Sequence, residues 1–529
     1  MKKIIYILLL SLPLNIFALD QDTAFKAMKD EMARNIQKLQ MTGFAKPYFI
    51  TYTLEDDRQA TVLASLGALV SNDETSAKKV YVNMRVGAPQ FDNTSFGSPR
   101  PAAALAGDGY LSIRSSLWLI SDAAYLDALE NLSKKKAFKQ QRNITDMLPD
   151  FSSAPVVNLR EEKNNEIFDR GYFEEVAKQM SAAGKDFGRL KKLVVTINYL
   201  NRQKYYVDSA GSSYYQNPVK IEIIMTTTLQ TRDGFDIEEN SSSVYAAVKD
   251  IPPSNELIQK TKDFAAKAAA FYDAKKAESY IGPVWLEGSN AAYFFDDLFA
   301  NKIKNTRPFW QDNDNADNGA GYLTKLLGLR VISNIFNVYD DPSVKEFKGK
   351  TLAGFYRVDD EGVRGKAVNL AARGKLIGLL TMRSLVKGQK YSNGHGRGSV
   401  FFVPRENPGN LFFEPLQTAP DMKKALMDEC KKLDLEYCIK INNYGDNKFN
   451  GYKIYTKDGR EEPVYGMETY TNTRSLRDII FAGDDIKAYN IAPDYMPPYS
   501  IVTPSVIVGE VEIKPTEKKP SRPPMVPKP

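Results

Sequence analysis

The sequence predicts an α+β protein in which a region of helices and antiparallel strands is followed by a mainly β C-terminal domain. Helical periodicity is concentrated in the first half of the chain, where helical stretches alternate with groups of extended segments. After Arg330 the chain is mostly extended and contains few helical stretches. At 529 residues it is also too long for one ordinary hydrophobic core. These three observations favour separate helix-and-sheet and β-rich regions over a single layer architecture.

The composition of the chain divides it into four segments. Residues 1–18 form a predicted export signal, 19–279 an N-terminal α+β region, 280–513 a β-rich C-terminal domain, and 514–529 a disordered tail rich in Pro and Lys. We place the main boundary just before the apolar segment 280–288, because this segment reads as a strand that opens a new core.

The N-terminal region begins with a helix that Asp22 is expected to cap, since apolar residues recur from Phe25 to Leu39 at helical spacing. A second helix is predicted over 112–141, with Lys134–Lys136 on a solvated face. Further helices are expected over 174–180 and from Ser254 onward. The predicted strands cover 47–54, 61–70, 79–86, 192–200, 204–208 and 219–230.

The C-terminal domain is expected to form a curved or barrel-like sheet, because long runs of strands are interrupted by few helices. A helix is predicted over 290–301 and another over 422–433. The predicted strands cover 280–288, 331–338, 354–358, 366–371, 376–383, 437–442, 451–456, 462–471 and 505–513. The segment 473–481 and the final strand are expected to close the domain.

The first residues indicate export. Lys2 and Lys3 precede an apolar run that ends at Ala18, which is too short and too interrupted for a comfortable transmembrane helix. We therefore expect a periplasmic or secreted protein without a stable membrane anchor. The two cysteines, Cys430 and Cys438, could pair in an oxidising compartment or remain buried thiols, and the sequence favours neither.

The charge balance argues against nucleic-acid binding. The chain has 71 basic and 65 acidic residues, a formal net charge of +6, and no basic block in its body. An acidic stretch at 312–319 does not fit a calcium loop, because the sixth and twelfth positions are Asp317 and Leu323 rather than glycine and glutamate.

A glycine-punctuated segment, residues 391–398 (YSNGHGRG), holds the only histidine of the chain. Three of its eight residues are glycines, which lets the backbone approach another surface closely. A tight connection between strands is one interpretation, and a binding loop that uses Asn393, His395 and Arg397 is the other. Residue chemistry alone favours the tight connection.

The order of motifs around this loop resembles the TldD/PmbA family. The matching motifs are DDEGV at 359–363, SNGHGR at 392–397, NL at 410–411 and PSVIVGEV at 504–511. The N-terminal half is also similar, through KPYFI at 46–50 and the later Asp92-Asn93 pair. The resemblance implies a metallopeptidase-related scaffold that admits unfolded or short peptides into an internal cavity, often formed between two subunits.

The chain departs from this family at its metal motif. The resemblance implies that active members carry an H-E-x-x-x-H motif on a helix at this position, where it helps to hold a catalytic metal. The corresponding residues here are Asp296, Asp297 and Asn301. A catalytic zinc needs about three protein ligands and an open position. One histidine cannot supply two, and the family's glycine-rich segment with a cysteine is not found.

Three interpretations of function follow from this departure. The one we favour is a peptide-binding or non-catalytic subunit of a homodimer, or of a heterodimer with a TldD/PmbA-like subunit, with no resident cofactor. The second is an active metallopeptidase that holds zinc or another divalent metal through substituted ligands such as Asp296, Asp297 and His395. The third is a purely structural exported scaffold.

Overall fold

We describe the protein from a computed structural model, which describes residues 19–96, 102–105, 107–145, 148–304, 325–386, 388–399, 402–445, 448–469, 471–493 and 496–518. The predicted export signal, the acidic stretch 312–319 and the tail beyond 518 lie outside these ranges. In the part of the chain that is described, no helix is long and apolar enough to cross a membrane.

Among its described residues, the N-terminal region combines four α-helices with a nine-stranded, largely antiparallel sheet. The helices are α1 (Gln21–Lys38), α2 (Tyr110–Gln141), α3 (Arg170–Ala182) and α4 (Ser254–Ala270). The strands are β1 (Pro47–Ser65), β2 (Ala68–Ala88), β3 (Phe91–Asp92), β4 (Ala102–Ala104), β5 (Asn158–Arg160), β6 (Leu190–Asp208), β7 (Ser213–Gln216), β8 (Val219–Gln230) and β9 (Asp236–Tyr245). The main path through this sheet is β3-β2-β1-β6-β7-β5, and β8 and β9 extend it from β6.

The two faces of this sheet differ in polarity. One face is apolar: its β1 residues, such as Ile50 and Val62, pack against α1 and α2 at one end and against α3 and α4 at the other. On the opposite face, the register pairs Glu55 with Lys204 and Asp57 with Arg202. Residues directly opposite each other in antiparallel strands share a face, so this second face carries a buried layer of charges.

The C-terminal region contains two α-helices and seventeen strands among the described residues. The helices are α5 (Ser289–Phe295) and α6 (Met422–Lys432). The strands are β10 (Lys275–Lys276), β11 (Tyr280–Leu286), β12 (Phe336–Asp340), β13 (Glu346–Phe347), β14 (Lys350–Thr351), β15 (Val368–Ala372), β16 (Lys375–Leu376), β17 (Gly396–Ser399), β18 (Phe402–Glu406), β19 (Asn410–Pro415), β20 (Tyr437–Ile441), β21 (Lys448–Tyr455), β22 (Glu461–Thr469), β23 (Ile479–Ala482), β24 (Lys487–Ile491), β25 (Tyr499–Thr503) and β26 (Val506–Pro515).

Two sheets build the core of this region. In the first, β22-β21-β20-β11-β26 forms a ring, because β22 also pairs with β26. This closure confirms the expected curved, barrel-like sheet. The second has the order β16-β15-β12-β19-β25-β24. Helix α5 contributes Phe294 and Phe295 to the shared core, where the Phe295 ring stacks on Phe413 with ring centroids 3.9 Å apart.

Several sequence predictions about single elements were wrong. Asp20, not Asp22, caps α1, because its side chain accepts a hydrogen bond from the amide of Thr23. The predicted strand 61–70 is interrupted by a hairpin turn at Leu66-Gly67, where both residues have positive φ. The segment 354–358 is not a strand, and in 376–383 only Leu376 belongs to one. These last two segments satisfy their backbone groups through turns and side chains instead.

The lysine run of α2 is not wholly solvated. Lys135 is fully buried and its ammonium lies 2.7 Å from Asp150. A buried charge needs such a partner, which the sequence places fifteen residues away, so the helical pattern alone does not reveal it.

Cys430 and Cys438 form a disulfide between α6 and β20, with their Cα atoms 6.1 Å apart. Both residues are buried in a small apolar cluster that includes Leu426 and Ile507. The disulfide therefore fastens α6 to the closed sheet.

Candidate functional site

The segment that the sequence analysis places at the H-E-x-x-x-H position lies on a distorted helix. Helix α5 continues into one π-helical turn over Asp296–Ala300, and the amide of Asn301 donates to the carbonyl of Asp296 five residues earlier. A π turn brings positions i and i+5 onto one face, and such turns are frequent at functional sites. Positions 296 and 301 therefore have the relative placement that the first and last residues of H-E-x-x-x-H require.

Asp296 is half-buried and engaged within the fold. Its carboxylate accepts a hydrogen bond from the hydroxyl of Tyr499, which lies on β25. Burial raises the pKa of Asp296, while the Tyr499 hydrogen bond and the charge of Lys304 act in the opposite direction. Burial also lowers the pKa of Lys304, against the attraction of Asp296. The site is thus a carboxylate, a phenol and an amine at the end of one helix.

The two other motif positions are exposed. Asp297 is 3.4 Å from the hydroxyl of Tyr444. The side-chain amide of Asn301 donates to the carbonyl of Asp296 at 3.2 Å, and its oxygen accepts from Lys304 at 3.2 Å. Asp297 and Asn301 are thus exposed residues on this helix, whereas Asp296 is half-buried and hydrogen-bonded to Tyr499.

These residues do not fit the family's metal. Asp296 is held by a phenol and by burial that favours its protonated form, and Asn301 offers only a weak amide oxygen that is already bonded to an amine. Within the described ranges, no group of three or more His, Cys, Asp or Glu side chains converges as a metal site.

His395 lies elsewhere, inside the fold of the glycine-punctuated loop. It is fully buried, and both ring nitrogens are used: Nδ1 is 2.9 Å from the Asn393 side-chain oxygen and Nε2 is 2.8 Å from Asp340. Asp340 also accepts from the amide of Gly409 at 3.0 Å. No ring nitrogen of His395 is left to bind a metal. The residue instead connects Asn393 and Asp340 through hydrogen bonds inside the fold.

The other two loop candidates are also engaged. The Asn393 side chain accepts from the amide of Thr381 at 2.8 Å and donates to the carbonyl of Leu379 at 2.9 Å. The Arg397 guanidinium stacks over the ring of Tyr356, 4.3 Å from its centroid, and donates to the carbonyl of Pro498 at 3.2 Å. The loop is half-buried to buried through most of its length, and only Tyr391 is well exposed.

The DDEGV turn binds this loop directly. Asp359 accepts from the amide of Gly396 at 2.9 Å, and Asp360 accepts from the amide of Gly398 at 2.7 Å. A Cβ on Gly396 would lie 2.7 Å from Glu361, and one on Gly394 would lie 2.2 Å from a backbone carbonyl. The glycines are therefore required by close approach between the two motifs.

The same turn reaches the charged face of the N-terminal sheet. Lys204 on β6 is hydrogen-bonded to Asp360 and lies 3.7 Å from Glu55. Burial would raise the pKa of Asp360, but the charges of Lys204 and Arg397 hold it below its ordinary value. Burial and the neighbouring Glu361 instead raise the pKa of Asp359 well above its usual range. Sequence reasoning found both motifs but missed this contact, because Lys204 lies in an ordinary-looking strand.

Comparisons with known proteins agree on the architecture. Residues 286–515 match the family model of the PmbA/TldA metallopeptidase C-terminal domain. A comparison with curated proteins finds no significant match.

Three solved structures share the fold over nearly the whole chain. A candidate modulator of a DNA gyrase from Thermotoga maritima has a TM-score of 0.63 and 14% identity, and covers 92% of this chain and 100% of its own. TldE from Thermococcus kodakarensis has a TM-score of 0.61 and 11% identity, with 92% and 100% covered. A candidate modulator of DNA gyrase from Bacteroides thetaiotaomicron has a TM-score of 0.57 and 10% identity, with 93% and 98% covered. At these identities the likeness shows the fold.

The motifs of the C-terminal domain, their packing against one another and the match of residues 286–515 lead to one conclusion: this region is similar to the PmbA/TldA metallopeptidase C-terminal domain, and the whole chain shares the fold of the three solved structures.

Proposed function

We propose that this protein is a non-catalytic, peptide-binding subunit of TldD/PmbA type. The observation that carries the proposal is the chemistry at the family's metal position. The π turn is present, but it carries Asp296 and Asp297 and is followed by Asn301, and the half-buried Asp296 is hydrogen-bonded to Tyr499. A metallopeptidase needs ligands that stay deprotonated and free to coordinate.

The proposal includes a partner. The resemblance to this family implies an internal cavity that is formed between two subunits. A subunit without the metal motif is therefore expected to assemble with a copy of itself or with a subunit that carries H-E-x-x-x-H. In the heterodimer the partner would supply the metal chemistry, and this chain would help to hold an unfolded or short peptide.

We also propose that the protein acts after export, in the periplasm or outside the cell. The charged and apolar start of the sequence supports this proposal. The buried Cys430–Cys438 disulfide supports it as well, since disulfides persist in oxidising compartments.

The first test is the metal content of the protein without residues 1–18, purified without chelator or a histidine tag. We expect well below one equivalent of zinc or any other transition metal. About one equivalent would overturn the non-catalytic assignment and revive the metallopeptidase with substituted ligands.

The second test separates the peptide-binding subunit from the structural scaffold. Fluorescence anisotropy with a labelled, unfolded casein fragment should show saturable binding, with folded carrier protein as the control. Size-exclusion chromatography with light scattering should show a dimer, alone or with the motif-bearing subunit. A protein that stays monomeric and binds no unfolded peptide, alone or with the motif-bearing subunit, would contradict the proposal. The structural scaffold would then be the remaining interpretation.

A further inference from the structure

A cavity of about 460 Å³ lies between the N-terminal and C-terminal regions and takes no part in the site described above. Its walls are the edge strand β9, the edge strand β24, the start of α5 and the β13–β14 hairpin. The cavity has the size of small-ligand pockets in proteins. It is not sealed from solvent, because Ser242 and Lys487 on its wall are exposed.

The cavity is strongly basic. Four lysines line it, namely Lys260, Lys348, Lys350 and Lys487, and no Asp or Glu is among the described residues of its wall. Within the described ranges, no carboxylate lies within 4.0 Å of any of these four ammonium groups. Four cations without an ion-pair partner around one cavity form a site of positive potential.

Lys350 is the innermost of these charges. It is half-buried, and both burial and the nearby charge of Lys260 lower the pKa of its ammonium group, against the attraction of Asp250. Asp250 offsets part of this repulsion from a distance, and its carboxylate accepts a hydrogen bond from the amide of Thr351 at 2.9 Å rather than from a lysine. An anion placed between Lys350 and Lys260 would relieve their mutual repulsion.

The lysines keep donors available for such an anion. Lys350 donates to the carbonyl of Ala488 at 3.0 Å, and Lys348 donates to the carbonyl of Ile486 at 3.0 Å. An ammonium group has three N–H donors, so each retains two. Lysines beside an edge strand can also serve to prevent its pairing with another chain, and the contacts of Lys348 and Lys350 would fit that role. That role does not account for Lys260 and Lys487, which line the same cavity.

Neutral donors complete the wall. Ser241 and Ser243 lie on β9, and the Tyr293 and Tyr489 rings line the cavity. Ser242, between the two serines, donates its hydroxyl to Glu222 at 3.0 Å. Burial raises the pKa of Tyr489 to about 12, so its hydroxyl is protonated and can donate at neutral pH. Asn490 ties the two edge strands together, because its amide donates to the carbonyl of Val244 at 3.1 Å. The cavity is therefore a built pocket rather than a chance gap.

We propose that this cavity is a binding site for a small polyanion, a ligand with two or more phosphate or carboxylate groups held by the four lysines. The assignment is independent of the proposed peptide-binding function and of any metal. Because the ligand would contact both β9 and β24, its binding is expected to stabilise the junction between the two regions.

The test is titration calorimetry of the full chain without residues 1–18, at low salt, with pyrophosphate and, separately, with citrate. We expect one site per chain, an affinity that falls as sodium chloride is raised, and a higher melting temperature with the anion at matched ionic strength. Tighter pyrophosphate binding would identify a phosphorylated ligand, and tighter citrate binding a polycarboxylate.

Variants decide whether the binding is in this cavity. Lys350→Met and Lys260→Gln should each weaken binding by about tenfold, as expected for the loss of one charge-assisted hydrogen bond. Lys350→Arg, which keeps the charge, should largely retain binding and controls for folding. Lys457→Gln, at an exposed position outside the cavity, should change nothing. No saturable binding of either anion, or equal loss in Lys457→Gln, would overturn the proposal.

Discussion

His395 illustrates how one residue can be conspicuous in a sequence and yet serve the interior. Its ring spans from Asn393 to Asp340, and both partners bind further backbone groups, namely the amides of Thr381 and Gly409. A buried carboxylate that loses one of its hydrogen-bond donors lowers the stability of the folded state, because its oxygen is then neither solvated nor fully hydrogen-bonded. The residue thus couples a loop to the end of β12.

We predict that His395→Ala lowers the free energy of unfolding by roughly 2–4 kcal/mol, because it leaves a cavity and an underbonded Asp340. Urea denaturation measures this change. Tyr391→Ala is the matched control, since Tyr391 belongs to the same loop but is well exposed, and it should change stability by less than about 0.5 kcal/mol. Equal stability of His395→Ala and the wild type would return His395 to the binding-loop interpretation.

Glu239 is a second buried polar residue with a measurable consequence. It lies on β9, and its carboxylate accepts from the side-chain amides of Asn442 at 3.1 Å and Asn450 at 2.9 Å, both from the C-terminal region. Burial raises its pKa to about 7. Two amide donors soften the cost of the buried charge without cancelling it.

The raised pKa predicts a pH-dependent stability. A folded-state pKa above the unfolded value means that Glu239 contributes its full stability below about pH 4.5 and loses it as the pH rises through about 7. From pH 5 to pH 8, the free energy of unfolding should therefore fall by roughly 1–3 kcal/mol more in the wild type than in Glu239→Gln. Urea denaturation at both pH values checks this. The exposed neighbour variant Glu238→Gln should keep the wild-type dependence, and a Glu239→Gln protein that also keeps it would refute the assignment.

At the scale of elements, the π turn after α5 keeps the geometry that the H-E-x-x-x-H motif needs but carries different side chains. The turn keeps positions 296 and 301 on one face, although neither residue is a histidine. The packing of Phe294, Phe295 and Phe299 in the core holds the turn in place. The apolar side of the element thus holds it in the core, while its polar side carries Asp296 and Asn301.

We predict that Asp296→His combined with Asn301→His raises the affinity for zinc at least about tenfold over the wild type, because two imidazoles then share one face. Competition with a fluorescent zinc chelator measures the affinity. The control pair Asp297→His with Asn301→His puts the histidines four residues apart, out of the register of the π turn, and should gain less. Equal gains in the two double variants would show that the π turn does not set the spacing.

The predictability of each element follows from where its determinants lie. The helix after Ser254 and the strand Val219–Gln230 were predicted closely, because their signals are local apolar patterns and turn residues. The hairpin turn at Leu66-Gly67 was missed, because one glycine inside a β-branched run gives little warning. The partner of Lys135 and the contact of Asp360 with Lys204 depend on tertiary structure, so no local pattern encodes them.

At the scale of the whole molecule, the two regions meet through charge. The N-terminal sheet turns its apolar face to its own helices and its charged face toward the DDEGV turn. Glu55, Lys204 and Asp360 lie in this contact, and all three are largely or wholly buried. Buried ion pairs contribute less to stability than to specifying one arrangement, and breaking one is costly. The contact therefore fixes how the two regions dock.

Lys204→Met tests this docking. It leaves Asp360 and Glu55 without their shared cation, and we predict that it lowers the free energy of unfolding by about 3–5 kcal/mol. Asp360→Asn keeps an oxygen that can accept from Gly398, and the double variant should recover part of the loss, since one of the unpaired charges is gone. A double-mutant cycle by urea denaturation measures the coupling. Additive costs would mean that Lys204 and Asp360 do not act together, and the docking would then depend on the apolar contacts and the Glu239 hydrogen bonds instead.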